Sequence, residues 1–463
     1  MVAAPDGTGG AFDIVGYGSQ STNGSGLAQY FLPNCKNTLT VREKVTAGDG
    51  TDLQARNFGI ITTNGVNPLS PDGFESIISF CAKHTEAGVG LHWKQGFGFN
   101  EDNSKWWYLD IDLPITYVRN QFLISENVIS NGGGINVSAA ASGIPVSPNM
   151  TVAMMQSAWN YGKVSNCCKL SKTGVADIEL KFARQFMYSD ECMIAGYVGA
   201  LIPTGNAPCA KYIFEPIVGH GKHAGVIWGS EGGYEIWTNC DESWKLWLDY
   251  GCQAMYLFKH CEFRSFDLKN RPWSRYISVY LDQAQAAQAN ASADSNIVVY
   301  LSTPGINVLT QPVSVTPGFQ TNTTAALVFS QDCGLNVELG WNVFFREGEC
   351  VQLNWLTGPA IKAVGGDGAT NPVLNITGNP LLVPISVPFA DFNTSLIQQA
   401  DIDIQSAAHP NITTQLVYGQ FGWDLDDGCY PMHFGLGASY EFALKNFAVM
   451  NRWVIWGKFG FAF

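Results

Sequence analysis

Large apolar residues alternate with small or polar ones through most of this chain. A period of two predicts strands rather than helices. The longest clean run spans 244–258. Trp244, Leu246, Leu248, Tyr250, Cys252, Ala254, Tyr256 and Phe258 share one face; Lys245, Trp247, Asp249, Gly251, Gln253, Met255 and Leu257 share the other. Aromatics at both ends with aliphatics between them suit two interfaces flanking a hydrocarbon band. A tilted strand needs only ~9–11 residues to cross a bilayer, and this run is longer.

The scheme repeats. Over 86–99, Ala87, Val89, Leu91, Trp93, Phe97 and Phe99 oppose Gly88, Gly90, His92, Lys94, Gly96 and Gly98. After a polar turn at 100–104, Trp107, Leu109, Ile111, Leu113, Ile115 and Tyr117 oppose Tyr108, Asp110, Asp112 and Thr116. Two aspartates on one face are costly in a dry core but solvated in a water-filled barrel. Ile178, Leu180 and Phe182 then oppose Asp177, Glu179 and Lys181. Further strands are expected at 193–201, over 224–237 as a hairpin turning at 230–233 (SEGG), and at 324–330, 335–346, 351–355, 415–423 and 434–444. In 335–346, Trp341 lies on the apolar face, and Glu338 and Arg346 on the polar one. Weaker strands are expected at 11–17 and 58–63, and the spacing over 74–83 predicts a short helix in a loop or plug.

This rhythm predicts an all-β protein, a transmembrane antiparallel β-barrel of about fourteen strands, any even number from roughly 12 to 18 being compatible. The chain is expected to form one barrel domain, 1–463, with three long connections. Residues 120–174, with a helix near 151–161, are a candidate for folding inward to narrow the pore or for a surface loop. Residues 282–322 form a second loop, and 357–414 a large extracellular one.

Composition supports the pattern. Charged residues are 14% of the 463, aromatics 13%, and glycines number 49, too few solvating charges for a water-facing surface of this size. No run approaches the ~18 apolar residues of a transmembrane helix. Only helices and closed barrels satisfy every backbone group in lipid. The net charge of −13 without a basic patch argues against nucleic acid as a partner. The opening MVAAPDGTGG lacks a basic and an apolar segment, so the expectation is that an export signal was removed before Val2 or Ala3 and that Met1 is not native.

The last eleven residues place Trp453, Ile455, Phe459, Phe461 and Phe463 on one face and Val454, Trp456, Lys458, Gly460 and Ala462 on the other. This ending resembles the C-terminal strand of bacterial outer-membrane β-barrels, with Phe463 as the assembly signal. It departs in having Lys458 where a glycine is usual, with Gly457 and Gly460 nearby. The resemblance implies export through the periplasm, an outer-membrane location among lipid and lipopolysaccharide, contact with the barrel-assembly machinery, and a homo-oligomer, a trimer by analogy. Alternation alone also fits the buried closing strand of a soluble sandwich.

Twelve cysteines form an even set. Cys35, Cys81, Cys167, Cys168, Cys192, Cys209, Cys240, Cys333, Cys350 and Cys429 are disulfide candidates, mostly beside turn residues; Cys261 completes the set, and Cys252 reads as a packing residue. Cys167 and Cys168 are adjacent and are expected to have separate partners. In cysteine content the chain is similar to the major outer-membrane proteins of chlamydiae and legionellae, whose envelopes are cross-linked by disulfides. No CxxC pair or zinc-finger spacing occurs, and His220 and His223 without a third ligand read as loop residues, so neither metal nor cofactor is expected. No nucleophile elbow, P-loop, HExxH or dinucleotide fingerprint occurs, and no enzyme is expected.

The chemistry legible in the sequence is that of a lumen. The pore-lining candidates are His92, Lys94, Asp110, Asp112, Asp177, Glu179, Lys181, Lys245, Asp249, Gln253, Glu338, Arg346, Glu441 and Lys458. Their opposite charges nearly cancel, which predicts a wide, weakly selective pore. The membrane-facing candidates are Trp93, Trp107, Tyr117, Trp244, Tyr250, Tyr256, Trp341, Trp453, Phe459 and Phe461. Asp424, Asp426 and Asp427 would mildly concentrate cations at one mouth. The expected function is a porin for passive diffusion of small hydrophilic solutes. The alternatives are a surface protein cross-linked into a lattice and a plugged transporter for hydrophobic molecules.

Overall fold

The computed structural model describes residues 9–32, 35–43, 50–66, 73–99, 106–136, 146–165, 169–189, 191–270, 272–280, 302–353, 373–374, 401–425, 430–443 and 448–463. Twelve strands form the barrel: β1 (Gly10–Ser21), β2 (Phe74–Phe99), β3 (Trp106–Asn131), β4 (Ile178–Tyr188), β5 (Cys192–Ile202), β6 (Gly225–Thr238), β7 (Trp244–Leu257), β8 (Gly318–Gln331), β9 (Leu335–Arg346), β10 (Ile412–Leu425), β11 (Met432–Ala443) and β12 (Arg452–Ala462). Every neighbour in this order pairs antiparallel. The ring closes where β1 meets β12, from Ala11 opposite Ala462 to Ser21 opposite Arg452. Closure leaves no open edge. Twelve strands fall within the expected range.

The outer face is apolar. Leu339, Leu436 and Val198 are 64%, 70% and 62% exposed, and Ile455 and Phe459 of β12 also look outward. The aromatic face of the terminal strand is thus not the buried wall of a soluble sandwich. Trp93, Trp107, Tyr117, Tyr250, Tyr256, Trp341 and Trp453 are exposed on the same band. Trp244 and Phe461 are half-buried; Trp244 stacks on Phe329 at 4.7 Å and Phe461 packs 5.9 Å from Phe12.

The two ends of the barrel differ. At one, only three to six residues separate β2 from β3, β4 from β5, β6 from β7, β8 from β9 and β10 from β11. At the other, connections run from eight to 65 residues and carry short elements of their own. There Phe58, Phe74, Ile78, Phe122, Met154, Trp159, Phe266, Tyr276, Ile306 and Val315 bury one another in a continuous core. Segments from all six connections at this end thus contribute to a cap over this mouth.

Several expectations are corrected by this cap. Residues 74–83 are the start of β2, because Phe74, Ser76, Ile78, Phe80 and Ala82 alternate as its buried face against the cap. Residues 55–58 form a 3-10 turn where a strand over 58–63 is expected. Cys350–Leu353 leaves the barrel to join a cap sheet with His260–Ser265 and Thr310–Thr316. Residues 230–233 are not a turn: Gly232 and Gly233 lie inside β6, leaving room for Tyr250 and Asp249 of β7. In 120–174, β3 runs on to Asn131, Leu170–Val175 pairs with it, and the helix Met150–Ala153 packs in the cap core rather than in the pore. In 282–322, β8 begins at Gly318; of 357–414 only 373–374 and 401–414 lie within the described residues.

Disulfides are also absent among the described residues. Cys35, Cys81, Cys192, Cys209, Cys240, Cys252, Cys261, Cys333 and Cys350 are unbonded, being scattered over both ends and the outer wall. The thiols of Cys209 and Cys333 instead donate to Glu215 and Gln331. Cys167, Cys168 and Cys429 lie outside the described residues.

Candidate functional site: the lumen and the chamber above it

The faces opposite the apolar band converge on a polar lumen. In the half nearer the short turns, His92 of β2 joins Asp13 of β1 through Nδ1 at 3.1 Å and Asp110 of β3 through Nε2 at 2.9 Å. Lys181 of β4 donates to Asp112 at 2.7 Å and pairs with Glu179 at 2.8 Å. Gln253 of β7 reaches Glu179 at 3.4 Å and accepts from Tyr197 at 3.2 Å. His433 of β11 pairs with Asp13 at 3.0 Å, and the charge of Lys458 also acts on Asp13.

One contact crosses the lumen outright. Lys94 of β2 lies 3.3 Å from Glu231 of β6, four strands round the ring, and Tyr108 of β3 donates to the same carboxylate oxygen at 2.9 Å. The Lys94 ammonium also stands 4.8 Å over the Tyr108 ring. Lys94 and Lys181 side chains are only 11% and 12% exposed. Burying such charges is tolerable only when each is paired and hydrogen-bonded, and these are. The wall's own side chains therefore narrow the passage.

Nearer the cap, Tyr17 donates to Glu86 at 2.7 Å, and Arg452 bridges Glu86 at 3.4 Å and Glu441 at 2.6 Å. On the far wall, in the half nearer the short turns, Tyr418 donates to Glu338 at 2.5 Å, and Asp249 lies over Gly233. Lys245 pairs with Glu235 at 3.3 Å, by the short turns.

Of the predicted pore residues, two sit elsewhere. Asp177 precedes β4 and is buried in a turn, accepting from the backbone of Gly205 and His220 and from the His220 ring. Arg346 ends β9 at the capped rim. Asp13, Glu231, Tyr17, Glu86 and Arg452 complete the networks without having been singled out. Alternation marks Asp13 and Tyr17 opposite Phe12 and Ile14, whereas Glu231 was hidden by its glycine neighbours.

His92, Asp110 and Asp112 offer ligand atoms within 4.8 Å of one another. Lys181 occupies Asp112, however, and Asp13 the second His92 nitrogen, so the cluster is an ion-pair network first.

Between the lumen and the cap lies a chamber of about 730 Å³. Its floor is the barrel rim, with His84, Asn120, Leu257, Gln320 and Arg346; its roof is the cap, with Tyr30, Phe31, Phe214, Trp273, Arg264 and His409. Arg264 bridges Glu262 at 2.7 Å and Glu349 at 3.3 Å, and His223 holds the other Glu262 oxygen at 2.8 Å. Burial alone would raise the Glu349 carboxyl, but the Arg264 and Arg346 charges and the backbone N–H of His409, which donates to it at 3.1 Å, hold it below the usual range. Burial pushes the His409 imidazolium down to about 4, so this ring is neutral at pH 7, its Nδ1 lying 2.9 Å from the Tyr30 hydroxyl.

No family model matches the chain, and neither does any curated protein. Among solved structures it is similar to an outer membrane channel from Pseudomonas putida F1, at 9% identity and TM-score 0.41, covering 98% of this chain and 96% of that one. It is also similar to the transport unit of the autotransporter AIDA-I from Escherichia coli, at 7% identity and TM-score 0.35, covering 100% and 92%. The toluene transporter TodX from Pseudomonas putida matches at 7% identity and TM-score 0.29, covering 99% and 89%.

Proposed function

We propose that the protein spans the outer membrane of a diderm bacterium, cap outward, and is a passive conduit for small hydrophilic solutes rather than a catalyst. The observation that carries this reading is the inversion of the two faces, an apolar band outside and a lumen lined by paired charges inside. The passage is narrower than the wide pore expected from the sequence, because the Lys94–Glu231–Tyr108 bridge spans it. Charges of both signs meet there, which supports weak selectivity between anions and cations.

The test is conductance of the refolded protein in a planar bilayer. Small stepwise openings are expected, and a K94A/E231A double substitution should enlarge them severalfold by clearing the bridge. Silence from both proteins, with the barrel intact by heat-modifiable mobility, would overturn the reading.

A second reading rests on the thiols. Seven of the nine described cysteines are exposed and unbonded, which supports a surface protein cross-linked between copies. Ladders from native membranes on non-reducing gels would favour it; a single monomer band would not.

A further inference from the structure

We propose that the chamber beneath the cap is a binding site for a small organic carboxylate with an apolar body, held by Arg346 and Gln320. This rests on the conduit reading and deepens it, since the chamber is lined by the barrel rim as well as by the cap, and names the class of solute it would collect.

The argument begins with the cavity's charges. Arg264 is committed to Glu262 and Glu349, and Arg275 to Asp267 at 2.8 Å. Glu215 is capped by the backbone N–H groups of Cys209, Ala210, Lys211 and Tyr212. Arg346 is the lining guanidinium without an ion-pair or hydrogen-bond partner among the described residues, and its Nε is fully buried with that N–H unused. A buried donor left unmade is costly, and a ligand acceptor would satisfy it. Gln320 stands directly opposite Arg346 in the β8–β9 ladder, on the same cavity wall, and its amide also lacks a side-chain partner there. Two unused donors on adjacent strands suit the two oxygens of one carboxylate.

The lining sets the remainder of the ligand. Phe31 and Phe214, with ring centroids 5.7 Å apart, Trp273 and Leu257 supply apolar surface for a hydrocarbon or aromatic body. A single unpaired cation beside Glu349 and Glu262 favours a monoanion, since a second negative charge on the ligand would meet those carboxylates unscreened. The volume falls within the range of small-molecule pockets, which are mostly apolar with a few placed polar groups.

The test is calorimetric titration of the full chain in detergent micelles with benzoate, hexanoate, neutral benzamide and inorganic phosphate. Saturable binding of the two carboxylates is expected. Benzamide, and benzoate to R346Q, should bind roughly tenfold more weakly or worse, the usual cost of losing a charge-assisted hydrogen bond. Q320A should weaken benzoate less, and K94Q in the lumen should leave it unchanged. Equal binding of benzamide and benzoate by the unaltered protein, tighter binding of phosphate, or no saturable carboxylate binding would overturn the proposal whether or not R346Q folds. Because micelles require no conduction, silence in bilayers with benzoate binding intact would sink the conduit alone. Conduction without binding would sink the chamber alone.

Discussion

Glycines facing the lumen are packing partners for inward aromatic rings. A Cβ on Gly340 would fall 2.1 Å from the Tyr418 ring, on Gly229 2.4 Å from the Tyr197 hydroxyl, and on Gly437 2.3 Å from Trp456. Tyr418 cannot simply swing away, because its hydroxyl is held by Glu338. Gly340→Val should therefore destabilise the barrel by about 1–3 kcal/mol, as overpacking generally does. Urea unfolding in lipid vesicles would measure this, and adding Tyr418→Ala should recover part of the loss; an unchanged midpoint for the single variant would refute the packing role. One residue away, Leu339 points outward at 64% exposure. Leu339→Arg should cost ~2–4 kcal/mol if it faces the middle of the lipid, and little if that face meets water. Sequence alternation separates these two positions cleanly. It does not reveal which rings the glycines receive, and a glycine pair inside a strand, as at 232–233, reads as a turn.

Among the elements, the barrel strands are legible because each carries its own period, while the cap is not. The cap's core gathers short pieces from distant parts of the chain, none long enough to show a face, so its existence depends on tertiary contacts alone. The cap also carries opposing pH sensitivities. His409 is held near 4 by burial, below the ordinary ~6.5 of an unfolded histidine, so its contribution is complete above 6.5 and is lost as pH falls towards 4. At His223, burial favours the neutral ring, but hydrogen bonds to Glu262 and the Phe258 carbonyl outweigh it and raise the pKa. That contribution is present below 6.5 and lost as pH rises through the raised value. Protection of cap amides, corrected for the intrinsic pH dependence of exchange, should thus be highest near pH ~6.5 and fall on either side. His409→Gln should flatten the acid side and His223→Gln the alkaline side; an acid limb persisting in His409→Gln would refute the assignment.

For the molecule as a whole, the hairpin rhythm indicates an antiparallel barrel, but alternation names only part of the inward charge, since Asp13, Glu86, Glu231 and Arg452 join the networks and Asp177 and Arg346 lie outside them. The barrel has twelve strands rather than about fourteen because 58–63 and 351–355 lie in the cap and 224–237 is one strand, not a hairpin. How the charges pair across the lumen, which is what narrows it, depends on the ring's curvature and is written nowhere in the local pattern.

β2 and β3 have 26 residues each, against 11 to 14 in the other barrel strands. Beyond the point where β2 leaves β1 at Thr85, Phe74 to His84 still pair with Asn131 to Asn120 of β3. At ~3.3 Å per residue this ribbon runs roughly 35 Å past its last contact with β1. It is a spine on which part of the cap is packed, with Phe74, Ile78, Phe80, Phe122 and Ile124 in the cap core. With the cap outward, as proposed, whatever first meets this protein from outside, whether a solute, an antibody or a phage, would touch the end of this ribbon before the barrel.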